Sequence, residues 1–210
     1  MDRQRKILIQ MSGPPGSGKS TTAKLLAKAL DAIIIDHDMF KSFFLESDIF
    51  SQSKDPFDES ARLTYKFQWV LAEDLVKQGR SVIIDGVCNY SQVLENGAAL
   101  AQKYDLAYHY VEIRAESMEL LDQRLQQRIP FRSQRTGVFQ PPTDQSNGAI
   151  DSQEGYHILF NKWMNPKRPL TGGIVVESTS SLETRVSYIL GQIAGADDRI
   201  QSKEGITEST

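Results

Sequence analysis

The sequence predicts a three-layer α/β fold, a five-stranded parallel sheet with helices on both faces. Five short apolar runs rich in β-branched residues recur along the chain, and helical patterns separate them. Strands buried on both faces have this composition, and their alternation with helices favours parallel pairing. A chain of 210 residues with 40% hydrophobic content can fill one sizeable core, so we expect a single domain.

The predicted elements alternate along most of the chain. The strands are expected at residues 7–11, 32–35, 81–84, 107–113 and 173–176. The helices are expected at residues 20–30, 63–78, 91–103, 117–127 and 182–193. In the second helix Leu63, Phe67, Val70 and Leu71 share one apolar face, and Gly79 provides a stop.

Two segments fall outside this alternation. Residues 133–155 are rich in Gln, Ser, Thr, Pro and Gly and are too long for an ordinary connection, which is typical of a lid or binding loop. Residues 195–210 have almost no large apolar side chain, so we expect a disordered tail there. The predicted organisation is one domain over residues 1–194, a lid at about 124–155 and a tail at 195–210.

A glycine-rich segment follows the first predicted strand and opens the first predicted helix. Residues 13–20, GPPGSGKS, match the phosphate-loop pattern G-x-x-x-x-G-K-[ST] in full, and strand–loop–helix is the context that supports such a match. Glycines let successive amides face phosphate oxygens, and a helix N-terminus attracts anions. Because Pro14 and Pro15 have no N–H group, we expect the amides of residues 16–20 to bind the phosphates. The alternative, a plain glycine turn with a solvated lysine, fits this context poorly.

The loop predicts binding of ATP with Mg²⁺. Lys19 would bridge the β- and γ-phosphates, the Ser20 hydroxyl would ligate Mg²⁺, and Thr21 or Thr22 would contact the α-phosphate. The predicted nucleotide-binding residues of this segment are Gly13, Pro15, Gly16, Ser17, Gly18, Lys19, Ser20 and Thr21.

Three aspartates follow predicted strands, at the edge where ligands bind in open α/β sheets. Asp36 and Asp38 follow the second strand, and Asp85 ends the third. Phosphoryl transfer to a hydroxyl needs one carboxylate near the attacking oxygen and another near the metal. Asp36 could assist the metal or satisfy backbone groups, and Asp38 could cap the helix that follows it.

The phosphate loop and the layout of residues 6–193 resemble the P-loop kinases of small molecules and nucleic-acid ends. That group includes polynucleotide kinases, gluconate kinases, chloramphenicol phosphotransferases and zeta toxins. The resemblance implies a P-loop NTPase fold and transfer of a phosphoryl group from ATP to a hydroxyl. Polynucleotide kinases carry D-x-x-R after the second strand, with the aspartate as general base and the arginine on the acceptor.

The segment Asp38-Met39-Phe40-Lys41 resembles that element, which implies that Asp38 is the base. Lys41 stands where the relatives carry arginine, so the bidentate fork that suits an acceptor phosphate is missing. Asp85 stands where related kinases place an acid near Mg²⁺ or substrate, so Ser20, Asp36 and Asp85 are the candidate metal ligands. After Asp85 the chain resembles the opening of the D-G-x-x-R segment of nucleoside monophosphate kinases, but the arginine is absent. Asn89 could therefore bind an uncharged acceptor group, and a role in shaping a turn is the alternative.

Arginines recur every four residues in the region of the predicted lid. Arg124, Arg128 and Arg132 have no carboxylate three or four positions before them, an arrangement that destabilises an isolated helix. Pro130 should end the helix, so Arg132 and Arg135 would fall in the loop beyond. In the resembling kinases such arginines stabilise charge on the transferred phosphoryl group, which implies that role for Arg124 and Arg128. A solvated basic face and a nucleic-acid contact are the alternatives.

Composition narrows the function classes. A net charge of −3 gives no general excess of cations, so nucleic acid is an unlikely partner. The single cysteine, Cys88, excludes an internal disulfide and a multi-thiolate metal site, and we expect a cytoplasmic protein. No apolar run is long enough to span a membrane.

The main prediction is therefore a kinase that transfers the γ-phosphoryl group of Mg-ATP to a hydroxyl of a small molecule. A polynucleotide or nucleotide kinase is one alternative. A nucleotide-binding switch without transfer chemistry is another, although the chain has no N-K-x-D sequence for reading guanine. The acceptor and the oligomeric state stay open.

Overall fold

The computed structural model describes residues 5–143 and 152–207, with side chains up to residue 196. The strands within these ranges are β1 (Ile7–Ser12), β2 (Ala32–Asp36), β3 (Ser81–Asp85), β4 (Ala107–Arg114), β5 (Arg135–Gly137), β6 (Gln140–Pro142) and β7 (Gly173–Glu177). Five of them form a parallel sheet in the order β2–β3–β1–β4–β7, and β5 pairs with β6 in a separate hairpin. The predicted five-stranded parallel sheet is confirmed.

Helices connect these strands. Those in the described ranges are α1 (Lys19–Leu30), α2 (His37–Glu46), α3 (Pro56–Lys77), α4 (Ser91–Lys103), α5 (Met118–Gln127), α6 (Gln153–Met164) and α7 (Leu182–Thr207). A short 3-10 turn at Asp48–Phe50 leads from α2 towards α3.

The sheet is the middle of three layers because alternate residues of each strand point to opposite faces. Ile9 of β1 packs with Leu26 of α1 and Ile189 of α7 on one face. Leu8, its neighbour in β1, packs with Ala72 of α3 and with α4 on the other face. Burial on both faces explains why the strands are continuously apolar in sequence.

The chain order places a ligand site at β1. From β1 the chain runs to β2 at the edge of the sheet, returns to β3 between them, and then crosses to β4 and β7 on the other side of β1. Ligands bind at such a reversal of strand order, beyond the carboxyl ends of the strands. The glycine-rich loop, the ends of β2 and β3, and the start of α2 all meet there.

The structure differs from the predicted elements in three places. Helix α2 begins directly after β2, where a helix was considered only as the alternative to Asp38 acting as the base. Helix α3 begins at Pro56 rather than near residue 63, because Oδ1 of Asp55 accepts a hydrogen bond of 3.2 Å from the Asp58 amide and Pro56 is the first helical residue.

The third difference is in the long polar segment. The β5–β6 hairpin and the start of α6 lie in residues 133–155, so this part of the predicted loop has regular structure. Leu121 of α5, Val138 of the hairpin and Phe160 of α6 form a small core of their own. Residues 144–151 of the predicted lid, like residues 208–210 of the predicted tail, lie outside the described residues. The helical backbone of α7 runs past residue 194 to Thr207, and the domain boundary at 194 stays a prediction.

Candidate active site

One cavity of about 820 Å³ lies at the carboxyl ends of the strands. Its wall brings together residues that are far apart in sequence, from the glycine-rich loop, the strand ends and the arginine segment. The predicted site residues in the wall are Pro15, Gly16, Ser17, Gly18, Lys19, Ser20, Thr21, Asp36, Asp38, Lys41, Asp85, Asn89, Arg124 and Arg128.

Gly13 is the predicted site residue that the wall does not include. Its φ of 121° is in the region that favours glycine, and a Cβ atom there would collide with the carbonyl oxygen of Ile113 in β4. The visible role of Gly13 is therefore to let the loop leave β1 close against β4.

The loop curls around the carbonyl oxygen of Pro14. That oxygen accepts hydrogen bonds from the Ser17 amide at 3.2 Å and from Lys19 Nζ at 3.0 Å. The Ser17 amide is thus engaged inside the loop, whereas we expected it to face a phosphate. Burial lowers the pKa of Lys19, and the nearby Asp85 and Asp38 carboxylates oppose this effect.

The end of β3 faces the first residues of α1. Asp85 is 4% exposed, and the Ser20 hydroxyl is close enough to influence the pKa of its carboxyl group. Burial raises the pKa of Asp85, although Lys19 and Ser20 oppose it. A hydroxyl and a carboxylate are hard oxygen donors of the kind that Mg²⁺ prefers.

The donor set fits a metal held jointly with a nucleotide. In residues 5–143 and 152–207, no group of three or more His, Cys, Asp or Glu could hold a metal ion by itself. Mg²⁺ is commonly bound through one or two carboxylates plus substrate phosphates. Ser20 and Asp85 therefore fit Mg²⁺ that arrives with ATP.

Asp36 has a structural task at the start of α2. Its Oδ1 accepts hydrogen bonds from the amides of Asp38 at 3.0 Å and Met39 at 3.2 Å, so Asp36 caps this helix. The capping role considered for Asp38 is wrong, because Asp38 is the second residue inside α2. Burial, with Asp85 and Asp38 nearby, raises the pKa of Asp36 to about 6.

Asp38 faces the cavity from the first turn of α2. Its Oδ2 accepts a hydrogen bond of 2.7 Å from the side-chain amide of Gln134. Burial alone would raise the pKa of Asp38, but His37, the Gln134 hydrogen bond, Lys19 and Lys41 together lower it below its usual range. Asp38 is therefore ionised at neutral pH, as a proton acceptor must be.

Lys41 lies one helical turn beyond Asp38. It is 8% exposed, and its Nζ lies 3.2 Å from the centroid of the Phe57 ring. Asn89, in the loop after β3, has a buried Oδ1 with no hydrogen-bond partner in the described part of the chain. Both side chains line the same cavity as Asp38.

The arginines do not form one helical stripe. Helix α5 ends at Gln127, and Arg128 follows it with φ −90° and ψ 156°, as expected from Pro130. Its Nη2 donates to the carbonyl oxygen of Arg135 at 2.8 Å, and its buried Nε has no partner among the described residues. Arg124 donates to the carbonyl oxygens of Gly16 at 3.4 Å and Ser178 at 3.0 Å.

A known family model matches the part of the chain that forms most of this site. A model described as an AAA domain matches residues 8–139, which is more than half of the chain. The matched segment contains the glycine-rich loop, the three aspartates, and Arg124 and Arg128. The chain belongs to the AAA domain family.

Solved structures show the same fold in this AAA domain. A kinase-like protein from Chloroflexus aurantiacus superposes with a TM-score of 0.66 at 17% identity, covering 91% of this chain and 98% of that one. An APS kinase from Mycobacterium tuberculosis, solved with AMPPNP and APS, gives 0.58 at 15% identity, with 90% and 98% covered. A gluconokinase from Sinorhizobium meliloti gives 0.58 at 14% identity, with 94% and 97% covered. Identities this low establish the fold, and they confirm the predicted P-loop kinase resemblance at that level.

Two negative findings complete this description of the AAA domain. No curated protein is similar enough in sequence to count as a match. Within the residues that the structure describes, none of the helices combines the length and the apolar content needed to cross a bilayer.

Sequence reasoning missed Arg185, which lies outside the segment matched to the AAA domain. Arg185 is 8% exposed in α7, and its Nη1 donates to the carbonyl oxygen of Ser17 at 3.4 Å. Burial and the like charge of Arg124 lower its pKa. Its only sequence signal is a position just after β7, since α7 begins at the edge of the sheet where the other site residues lie.

Gln134 was also missed. It follows the arginine segment in a stretch of polar residues, and nothing in the local pattern distinguishes it from its neighbours. Only the packing of this stretch against α2 brings it to Asp38. Ser133 beside it donates from its hydroxyl to the Asp38 carbonyl oxygen at 3.1 Å, and its amide donates to Ser42 Oγ at 3.0 Å.

Proposed function

We propose that this AAA domain is an ATP-dependent phosphotransferase that moves the γ-phosphoryl group of Mg-ATP to a hydroxyl of a small molecule. The observation that carries the proposal is that the Asp38 carboxyl group and the phosphate-loop Lys19 line the same cavity. A nucleotide site alone needs the loop and its lysine. A carboxylate in the same cavity as the loop and its lysine supplies the proton acceptor that transfer to a hydroxyl requires.

The cations around the loop support binding of a polyphosphate. Arg124 and Arg185 donate to backbone carbonyl oxygens, and neither forms an ion pair with any described residue. Buried charges without a counter-charge are costly, so an anionic ligand is expected to complete the set. Ser17 and Ser178 add buried hydroxyls without partners in the described ranges. The APS kinase that shares this fold was solved with the ATP analogue AMPPNP.

Ser20 and Asp85 would hold Mg²⁺ together with oxygens of the nucleotide. The bound ion would neutralise part of the negative charge on the β- and γ-phosphates. Asp36 keeps one carboxylate oxygen for the helix cap, so it is the less suitable of the predicted metal ligands.

The transfer step follows from the positions of Asp38 and Lys19. Asp38 Oδ2 is held by Gln134, which leaves the other oxygen for the acceptor hydroxyl. The hydroxyl proton passes to Asp38 as the acceptor oxygen attacks the γ-phosphorus. The bond from that phosphorus to the bridging oxygen breaks, and ADP leaves. Lys19 and Arg128 stabilise the negative charge on the transferred group.

The alternatives fit the site less well. Lys41 replaces the arginine expected of a polynucleotide kinase, and the net charge of −3 gives no general attraction to nucleic acid. A nucleotide-binding switch without transfer chemistry would not need a carboxylate such as Asp38 in the cavity. A cytoplasmic location stays a prediction from the cysteine content.

The test is product analysis by mass spectrometry after incubation with Mg-ATP and a broad panel of hydroxylated metabolites. We expect one phosphorylated compound formed in equal amount to ADP, and none with Lys19→Ala at the same protein concentration. Slow release of ADP and inorganic phosphate as the sole outcome across the panel would reject phosphotransfer to a small molecule. Labelled oligonucleotides with a free 5′-hydroxyl, tested in parallel, would reveal a polynucleotide kinase.

A further inference from the structure

The cavity wall includes side chains that the proposed contacts with the nucleotide do not use. The acceptor end, as we call this group, consists of Lys41, Asn89, Phe57, Tyr65 and Trp163. Three of these five side chains are aromatic, and each of the other two has a polar group without a partner in the described part of the chain. Those two groups define the chemistry of a ligand.

Lys41 is a buried cation without a counter-ion among the residues whose side chains are described. Its side chain is 8% exposed, and its ammonium group rests on the face of Phe57 at 3.2 Å from the ring centroid. The structure shows no hydrogen bond or ion pair for this ammonium among residues 5–143 and 152–196. A ring face compensates only part of the hydration that a buried ammonium loses, since such contacts contribute roughly 0.5–2 kcal/mol.

The nearby carboxylates do not neutralise Lys41. Burial is the largest influence on the pKa of Lys41 and lowers it to about 8, even though Asp38, Asp58 and Asp55 oppose the shift. Asp58 is exposed at the start of α3, and Asp38 Oδ2 is bound by Gln134. Arg135 adds a further positive charge on the same side. The burial of the ammonium group, and not a local surplus of positive charge, is therefore what favours an incoming anion.

Lys41 is separated from the phosphate loop by the proposed base. It follows Asp38 by three residues on α2, a spacing that puts the two Cβ atoms about 5–6 Å apart on one face. Asp38 is the one group that acts strongly on the pKa of both Lys41 and Lys19. An anion bound by Lys41 would thus belong to the molecule whose hydroxyl meets Asp38, and not to the triphosphate held by Lys19.

Asn89 supplies the second requirement. Its Oδ1 is buried in the cavity wall and accepts no hydrogen bond from the described residues. A buried amide oxygen without a donor is destabilising by about 1–3 kcal/mol. That oxygen is closed to solvent, so a ligand hydroxyl or N–H group would remove the cost once the Asn89 side chain turns towards the cavity.

We propose that the acceptor is an anionic alcohol whose carboxylate or phosphate group binds Lys41 while a second hydroxyl or N–H group donates to Asn89. The inference rests on the proposed function, because it identifies the acceptor by the reacting hydroxyl at Asp38. Lysine is a compact point charge without a bidentate fork, so it accommodates either type of anion. The anion and the reacting hydroxyl should be only a few bonds apart, given the spacing of Asp38 and Lys41.

The first test is binding, measured by titration calorimetry on the full chain loaded with Mg²⁺ and AMPPNP so that the phosphate loop is occupied. The probes are matched triads: glycerol, glycerate and glycerol 3-phosphate, and glucitol, gluconate and glucitol 6-phosphate. We expect an anionic member to bind about tenfold or more tightly than its neutral counterpart, as a charge-assisted hydrogen bond contributes about 1.5–3 kcal/mol. The carboxylate and phosphate arms distinguish the two sources of the anion.

The variants make the assignment specific. Lys41→Met should remove the preference for the anion, Lys41→Arg should keep it, and Lys28→Met, which removes an exposed lysine from α1, should leave it unchanged. Thermal unfolding of each variant confirms that it is folded. Equal binding of neutral and anionic probes, an undiminished preference in Lys41→Met, or no binding of any anion would overturn the inference.

A parallel assay with Mg-ATP separates this inference from the proposed function. Lys41-dependent binding of an anion with no phosphorylated product would leave the inference standing and reject phosphotransfer. A phosphorylated product from a neutral alcohol, formed equally well by Lys41→Met, would support phosphotransfer and reject the anionic acceptor.

Discussion

The side-chain amide of Gln134 donates a hydrogen bond of 2.7 Å to Oδ2 of Asp38. This contact joins the segment after α5 to the first turn of α2, and Ser133 reinforces it through the Asp38 carbonyl oxygen at 3.1 Å. The same segment carries Arg128, whose Nη2 binds the carbonyl oxygen of Arg135. The proposed base and the proposed charge-stabilising arginine are thus positioned by one stretch of chain.

Replacement of Gln134 by alanine should shift the pH dependence of turnover. The Gln134 hydrogen bond lowers the pKa of Asp38, so its loss should raise that pKa and protonate the base at a higher pH. We expect the acid limb of the kcat/KM profile to move to higher pH, so that the loss of activity is larger at acidic pH than near pH 8. Steady-state pH profiles test this, with Gln102→Ala on the exposed side of α4 as the control. A uniform loss at every pH would contradict this positioning role.

Replacement of Arg185 by alanine should weaken ATP binding. The guanidinium lies against the loop, and its Nη1 is 3.4 Å from the carbonyl oxygen of Ser17. We propose that this buried cation binds a phosphate group of ATP. Its loss should raise the Kd for ATP by about 10–100-fold, because charge-assisted contacts contribute about 1.5–3 kcal/mol. Equilibrium nucleotide binding is the measurement. Arg80→Ala is the matched control, since Arg80 pairs with Asp31 at the surface, and equal Kd values for the two variants would exclude a nucleotide role.

Lys41→Met should stabilise the protein without ligand. The pKa of Lys41 is lowered from 10.5 to about 8, so between these values the unfolded chain binds a proton that the folded protein has lost. The free energy of unfolding should therefore rise with pH in this window, by about 3 kcal/mol from this group. Below pH 8 the folded state holds the charge and is penalised.

Urea unfolding at pH 7 and pH 10 measures this contribution. The variant should be more stable than the wild type at pH 7 and should lack this part of the rise towards pH 10. Lys28→Met should keep it. A Lys41→Met protein that is destabilised at pH 7 would indicate that the ammonium is a structural partner instead of a cation held for a ligand.

A pair of Asp36 variants separates its cap from its charge. Asp36→Asn keeps an oxygen for the amides of Asp38 and Met39, whereas Asp36→Ala removes it at a cost of about 1 kcal/mol. The pKa of Asp36 is raised from 3.8 to about 6, so the wild type loses stability as the pH rises through this window.

Asp36→Asn should not show that loss, and it should be more stable than Asp36→Ala at every pH. Urea unfolding between pH 4 and pH 8 tests both points. If the two variants were equally stable at all pH values, the side-chain cap seen here would contribute nothing.

The sequence predicted the sheet closely because buried parallel strands are apolar throughout. Helix α2 was missed because Asp36-His37-Asp38 reads equally as a strand end or a helix start until the cap bonds of Asp36 are seen. The hairpin and α6 were missed because their core, Leu121, Val138 and Phe160, comes from three separate elements. No periodicity along the chain records such packing.

The candidate site, like the fold, could be predicted from the sequence only in part. The phosphate loop could be identified because eight consecutive residues form one anion-binding unit, and Asp38 and Asp85 because they lie near the carboxyl ends of predicted strands. Arg185 and Gln134 reach the site through tertiary packing of α7 and of the segment after α5. Neither has a spacing or a motif that would distinguish it from a surface residue.

The destination of the γ-phosphoryl group is the most direct test of phosphoryl transfer by Asp38 and Lys19. ATP carrying ¹⁸O in its γ-phosphoryl group is incubated with Mg²⁺, a metabolite panel, and either the wild type or Asp38→Asn, with Asp74→Asn as a surface control. We expect the wild type and the control to place the label on an alcohol, and Asp38→Asn to do so about 100-fold or more slowly at nearly unchanged ATP affinity. Label found only in inorganic phosphate, or transfer at an equal rate by Asp38→Asn, would contradict this mechanism.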